Sequence, residues 1–244
     1  MPFRLSVPAG DTARVGLGDV VGRGRDAVIL DHGHGLVLRR PLETRMMDVE
    51  ARVMAWVHEH GYPSPRLVEM TTLGLVMERV DGPTMLEDTF TQPRRAQEHM
   101  RTLADLHHRL HALPVPPGLD QPFGPGSALL HADLHPGNVL LGPDGPVVID
   151  WTNACAGPAG ADVATAWLLM ACAGLPKGWR ARSAQRLVRR IMVDSFLTAA
   201  DGYGERDLAR RALATVLGER RTDPHTEPKE LARMQKVVDR EGLS

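Results

Sequence analysis

The residues that could do chemistry gather in one stretch, Leu130 to Trp151, which carries His131, Asp133, His135, Asn138 and Asp150. Two short apolar runs, Val139–Leu141 and Val147–Ile149, flank the turn-forming segment Gly142-Pro143-Asp144-Gly145-Pro146. That pattern predicts a β-hairpin. Antiparallel pairing about a turn centred near Asp144 puts Asn138 roughly opposite Asp150. Asp133 precedes Asn138 on a loop containing Pro136 and Gly137. A carboxylate, an amide and a second carboxylate converging on one spot suit Mg2+ and a reacting phosphate. A competing chemistry uses His131, Asp133 and His135 as the zinc cluster of a hydrolase, with His107, His108 or His111 as further ligands. That reading gives Asn138 and Asp150 nothing to do.

His131-x-Asp133-x-x-x-x-Asn138, followed by Ile149-Asp150-Trp151, resembles the catalytic loop and metal-binding motif of aminoglycoside phosphotransferases. The wider group includes choline kinase-like small-molecule kinases and shares the protein-kinase fold. The resemblance implies Asp133 as catalytic base, Asn138 and Asp150 as Mg2+ ligands, and ATP or GTP as phosphoryl donor. It makes His131 a structural residue that orients the loop, and the three nearby helix histidines ordinary surface or core-edge residues. Asp162 would brace the loop, although a simple helix N-cap reads nearly as well. Gly22-Arg23-Gly24-Arg25-Asp26-Ala27 stands where the family covers the nucleotide, so Gly22 and Gly24 would let backbone N–H groups approach phosphate.

Arg39 ends the strand Leu36-Val37-Leu38-Arg39, where the family usually carries a phosphate-touching lysine. Val37 and Arg39 share a strand face, Arg40 points away, and Glu50 can pair with Arg39. By resemblance the Glu78 carbonyl and the Val80 N–H would hold the adenine. About ten residues separate Trp151 from the helix near Asp162, which is short for a peptide-binding activation loop. A small-molecule hydroxylated acceptor follows. The arginine in place of lysine keeps a second reading open, a non-catalytic nucleotide-binding module.

The elements that must position these residues are legible as periodicities. Val28–Leu30 and Leu36–Leu38, separated by a Gly-rich turn, predict an antiparallel pair. Helical spacing runs from Met46 to His60, with Val49, Val53, Met54 and Val57 on one side. Strands follow near Arg66–Met70 and Leu73–Val80, and Asp81-Gly82-Pro83 breaks the chain. A helix is expected over Gln92–Leu113, and after Asp162 helices at about 162–174, 180–200, 205–218 and 227–240. Sheet first and helices last predict a bilobal α+β fold: a nucleotide-binding lobe over residues 1–80 and a helical catalytic and substrate-binding lobe over 81–244.

Composition sets outer bounds. The chain has 244 residues, 43% hydrophobic and 24% charged, with a net charge of −1, so nothing points to nucleic acid. Two cysteines are too few for a disulfide framework and predict free thiols in the cytoplasm. No segment reads as a signal peptide, and the apolar run Val163–Leu175 is shorter than the ~18–20 residues of a membrane span. Between Lys177 and Arg221 eleven Lys/Arg face five acids. Pairs such as Arg182/Arg186 and Arg186/Arg189 share a helix face, which predicts an anionic or neutral acceptor rather than a polycation.

Overall fold

The computed structural model describes residues 18–24, 26–43, 46–172, 182–223 and 226–243, without the side chains of 182–186. Strands β1 (Val20–Arg23), β2 (Ala27–Gly33), β3 (Leu36–Pro41), β4 (Leu67–Thr71) and β5 (Gly74–Glu78) form one antiparallel sheet in the order β1-β2-β3-β5-β4. Alternation along β3 sends Val37 and Arg39 to one buried face and leaves Arg40 exposed. Val37 pairs with Met77 and Arg39 with Leu75. Leu38, with Leu30 and Val76, covers the other face.

Helix α1 (Asp48–Glu59) packs on the Val37–Arg39 face. It begins two residues later than the periodicity places it, and Val49 is 38% exposed. Glu50, Ala51, Val53, Met54 and Val57 form its buried side instead. Rotating the apolar stripe by one residue brings a carboxylate inward, which hydrophobic periodicity does not weigh.

The break after β5 is real. Gly82 has φ of 156°, and a Cβ there would lie 2.1 Å from the Leu141 carbonyl oxygen. Only glycine tolerates that approach. The next element, α2 (Met85–Thr91), was not expected. Thr84-x-x-Glu87 is its capping box: Glu87 N–H donates to Thr84 Oγ1 at 3.1 Å, and Thr84 N–H donates to Glu87 Oε2 at 2.9 Å. The helix expected over Gln92–Leu113 is thus a 3-10 turn at Pro93–Arg95 followed by α3 (Ala96–His111). Met100, Leu103, Leu106 and Leu110 are fully buried along α3, as their spacing predicts.

Strand β6 (Ala128–Leu130) pairs with β9 (Cys155–Gly157), a short ribbon no pattern announced. Between them lies the predicted hairpin, β7 (Val139–Gly142) and β8 (Gly145–Val148). Helices α4 (Ala159–Cys172), α5 (Arg182–Asp201), α6 (Glu205–Thr222) and α7 (Pro228–Arg240) complete the fold. The expected starts at 180 and the end at 174 lie outside the described residues. Helix α4 is buried almost throughout and packs on α6, and α5 packs on α3. One apolar cluster runs from α1 through the hairpin to α7. Among the described residues no helix is long and apolar enough to cross a membrane. Cys155 and Cys172 are free and buried.

Candidate active site

The loop between β6 and β7 begins at His131, fully buried, whose Nε2 lies 3.1 Å from the Ile149 carbonyl oxygen. Accepting lone pairs on that carbonyl require Nε2 to carry the hydrogen. Ala132 then takes a left-handed backbone, φ 58°, which costs a non-glycine residue on the order of 1–3 kcal/mol and persists only where surroundings impose it. Asp162 imposes it from below. Its Oδ1 accepts Ala132 N–H at 2.7 Å and its Oδ2 accepts His131 N–H at 3.1 Å. Asp162 therefore braces the loop through two backbone bonds rather than capping its own helix.

Those bonds aim Asp133 into a cavity of about 670 Å3, which Asn138 and Asp150 also line. Asn138 sits at the end of a 3-10 turn, Pro136–Asn138, and its Nδ2 donates to Asp133 O at 2.9 Å and Asp133 Oδ2 at 3.1 Å. The amide nitrogen is thereby committed, so the carbonyl Oδ1 is the atom Asn138 can offer a cation. The hairpin register pairs Val139 with Val148, and Ile149 N–H donates to Asn138 O at 3.0 Å. Asp150 is thus one residue beyond Asn138's direct partner, and its own left-handed backbone, φ 66°, turns it toward the cavity.

Arg39 reaches the same place from the sheet. Its Nη1 lies 3.0 Å from Glu50 Oε1, and its Nη2 donates to Asp150 Oδ1 at 2.7 Å and to Thr152 Oγ1 at 3.1 Å. The arginine and glutamate side chains are 7% and 4% exposed, so this is a buried ion pair. Its planar fork spans two carboxylates, which a lysine's single ammonium cannot do with the same geometry. Thr152, which the sequence did not single out, donates its hydroxyl to Asp150 Oδ1 at 2.7 Å. Val37, buried beside Met77, is a wall of the core next to Arg39.

Gly24 and Asp26 line the same cavity, and Gly24 N–H donates to Ala27 O at 2.9 Å. Gly22 pairs with Ile29 on β1, away from the cavity lining. At the far end of β5, Arg79 N–H donates to Gly35 O at 2.9 Å, and Val80 lies against Gly142 of the hairpin. The segment Glu78–Val80 thus joins sheet and hairpin.

The zinc-hydrolase arrangement does not assemble. His131 Nε2 is spent on Ile149, and His135 Nδ1 accepts Gly137 N–H at 3.0 Å. Burial pushes the His135 imidazole below its usual value, which suits an accepting ring nitrogen. The His/Asp group whose ligand atoms fall within 4.8 Å of one another, among the described residues, is His107, His111 and Asp162, beneath the loop. His107 and His111 are not surface residues. His107 Nε2 lies 3.2 Å from the Leu134 carbonyl, and His111 lies between two carboxylates: Nε2 at 3.3 Å from Asp162 Oδ2 and Nδ1 at 3.1 Å from Glu205 Oε1. Both His111 nitrogens face acceptors, so both carry hydrogens. Burial opposes that charge, but the bonds to Asp162 and Glu205 outweigh it and push the imidazole up to about 9. At Asp162 burial acts the other way, but the bonds from His107 and His111 outweigh it and hold the carboxyl well below the usual range.

Among the described residues, most of the basic side chains expected on the helices do not line the cavity. Arg190, Arg206, Arg210, Arg211 and Arg221 are exposed on the outer surface. Arg189 and Arg220 reach the cavity, but beside Glu219, Asp223 and Glu230. A count along the sequence weighs every arginine equally, whereas only those turned inward meet a ligand. Lys177 and Arg180 lie outside the described residues, as do the side chains of Arg182 and Arg186.

The family model described as the phosphotransferase enzyme family, APH, matches residues 21–126 and 121–193. A choline kinase from Cryptosporidium parvum Iowa II superposes with a TM-score of 0.58 at 10% identity, covering 92% of this chain and 88% of that one. An aminoglycoside-3'-phosphotransferase of type VIII gives 0.55 at 21% identity, over 91% and 92% of the two chains. The streptomycin–ATP ternary complex of APH(2")-IIa gives 0.53 at 11% identity, over 91% and 92%. At these identities the likeness is one of fold, a protein-kinase-like α+β architecture. No curated protein matches the chain.

Proposed function

Since the chain belongs to the phosphotransferase enzyme family, we propose that it transfers the γ-phosphoryl group of ATP, or GTP, to a hydroxyl of a small molecule. The observation that carries this reading is the convergence of Asp133, Asn138 and Asp150 on one cavity, with Asn138 Nδ2 3.1 Å from Asp133 Oδ2. Asp133 accepts the proton of the attacking hydroxyl and holds that oxygen in line with the phosphorus. Asn138 Oδ1 and the Asp150 carboxylate are hard oxygen donors that fit Mg2+, and they would hold it against the phosphates, where it supplies charge neutralisation. Arg39 takes the lysine's role beside Asp150, with Glu50 fixing its fork. Gly24, which lines the cavity where Gly22 does not, covers the phosphates, and the Glu78 carbonyl and Val80 N–H hold the base. This nucleotide lobe ends at residue 80, and residues 81–244 supply the loop and the acceptor wall.

The acceptor meets a wall of mixed charge, Glu219, Asp223 and Glu230 beside Arg189 and Arg220. The test is a panel of hydroxylated metabolites and antibiotics, cationic, neutral and anionic, incubated with ATP or GTP and Mg2+. Product is read by mass spectrometry as the addition of one phosphoryl group. Nucleotide binding with neither a phosphorylated product nor release of phosphate to water would leave the non-catalytic module as the better reading.

A further inference from the structure

Helix α6 is linked to the loop carrying Asp133 from both of its ends, indirectly at the first and directly at the last. Glu205, at its first position and 5% exposed, holds His111, which in turn contacts Asp162, the brace of the loop. Arg220, in its last turn with a side chain 16% exposed, reaches the loop directly. Arg220 Nη2 donates to the Ala132 carbonyl at 3.2 Å and lies 3.4 Å from Asp133 Oδ1. Its Nη1 lies 3.7 Å from Asp223 Oδ2, and Asp223 is itself held by Thr226 Oγ1 at 2.9 Å.

These contacts meet at one residue. Asp162 takes the N–H of the left-handed Ala132, and Arg220 takes its C=O. The two oxygens of Asp133 are likewise divided, Oδ2 to Asn138 and Oδ1 toward Arg220. A single unbraced bond on each side would let the strained peptide relax and the carboxylate rotate. Arg220 lines the same cavity as Asp133, Asn138 and Asp150, so its guanidinium stands on the acceptor side.

We propose that Arg220 is a positioning residue: it sets the aim of the Asp133 carboxylate and makes that aim depend on the seating of α6 against the loop. This rests on the reading of Asp133 as the base. A guanidinium suits the task because its planar fork can engage a carbonyl, a carboxylate and Asp223 together. An ammonium reaches fewer of them at once.

The experiment compares Arg220→Gln and Arg220→Lys with the unaltered protein, using release of inorganic phosphate from MgATP to water as the probe. Arg220→Gln should lower kcat by about 10–100-fold, the scale of a misaimed reacting group. The KM for ATP should stay within about twofold, because the nucleotide side is untouched. Arg220→Lys keeps the charge and one contact, so it should recover part of kcat. Hydrogen exchange at amides 131–134 should quicken in Arg220→Gln while the Tm holds. A kcat within twofold of the original in Arg220→Gln overturns the proposal. So does a parallel fall of kcat, nucleotide affinity and Tm, which would make Arg220 a stability residue only. An unaltered protein that releases no phosphate and phosphorylates nothing in the acceptor panel sinks the functional reading itself, and the positioning role with it.

Discussion

The charge on His111 makes the fold sensitive to alkaline pH in a way that can be worked through. In the folded chain the imidazolium bridges Asp162 and Glu205 and titrates at about 9, against 6.5 for an ordinary histidine. Below pH 6.5 both states carry the proton, and the bridge contributes fully. As pH rises past 6.5 the unfolded chain gives up its proton while the folded chain keeps it, so stability falls. Above about 9 the contribution is gone. At 1.36 kcal/mol for each tenfold change in proton affinity, the loss is about 3 kcal/mol. For a chain of this size that is a fall in Tm of roughly 6–12 °C. Urea unfolding from pH 6 to 9, run beside His111→Gln, reads it directly. The variant should be less stable at pH 6 and should lack most of the decline. The difference between the two proteins is the diagnostic quantity. Near pH 9 the thiols of Cys155 and Cys172, pushed by burial up to about 12 and about 11, also ionise more readily once unfolded, in both proteins. Parallel pH curves for the two proteins would refute the imidazolium bridge.

Other outcomes follow from the same geometry. Asp133→Ala should abolish turnover while nucleotide affinity by calorimetry stays within a few-fold, because the base acts on the acceptor hydroxyl; near-normal kcat would refute the assignment. Asp150→Asn should weaken nucleotide binding only when Mg2+ is present, and an unchanged Mg2+ dependence would move the cation elsewhere. Glu50→Gln leaves Arg39 buried with its fork half-filled. It should cost about 3–5 kcal/mol of stability, and in a double-mutant cycle with Arg39→Met the two losses should not add; strict additivity would deny the pair. Asp162, whose carboxyl is held far below the ordinary 3.8, should keep contributing stability as pH falls toward that value and lose it only in stronger acid. Asp162→Asn should therefore remove a term that does not vary between pH 4 and 6, measurable as a constant offset in unfolding free energy.

What the sequence determined by itself is local and periodic. Turn chemistry at Gly142–Pro146 and alternation along Leu36–Arg39 were enough to build the hairpin and β3, because a strand's faces follow from a period of two. Short spacing carried Asp133, Asn138 and Asp150 to one cavity, since a loop and a hairpin leave little freedom over so few residues. Arg39 facing Glu50 was legible for the same reason, one strand and one helix apart. The capping box of α2 was written at Thr84 and Glu87 and passed over, because the helix it starts is only seven residues long. Tertiary structure alone decided the rest. Thr152 on Arg39, His111 between Asp162 and Glu205, and Arg220 on Asp133 join residues that no period relates. In the last two, segments dozens of residues apart meet only after α6 packs on α4. A charge count along the chain cannot place the acceptor wall for that reason. A sequence records which arginines a helix carries, but the rotation of the helix against its neighbours chooses which of them face the ligand.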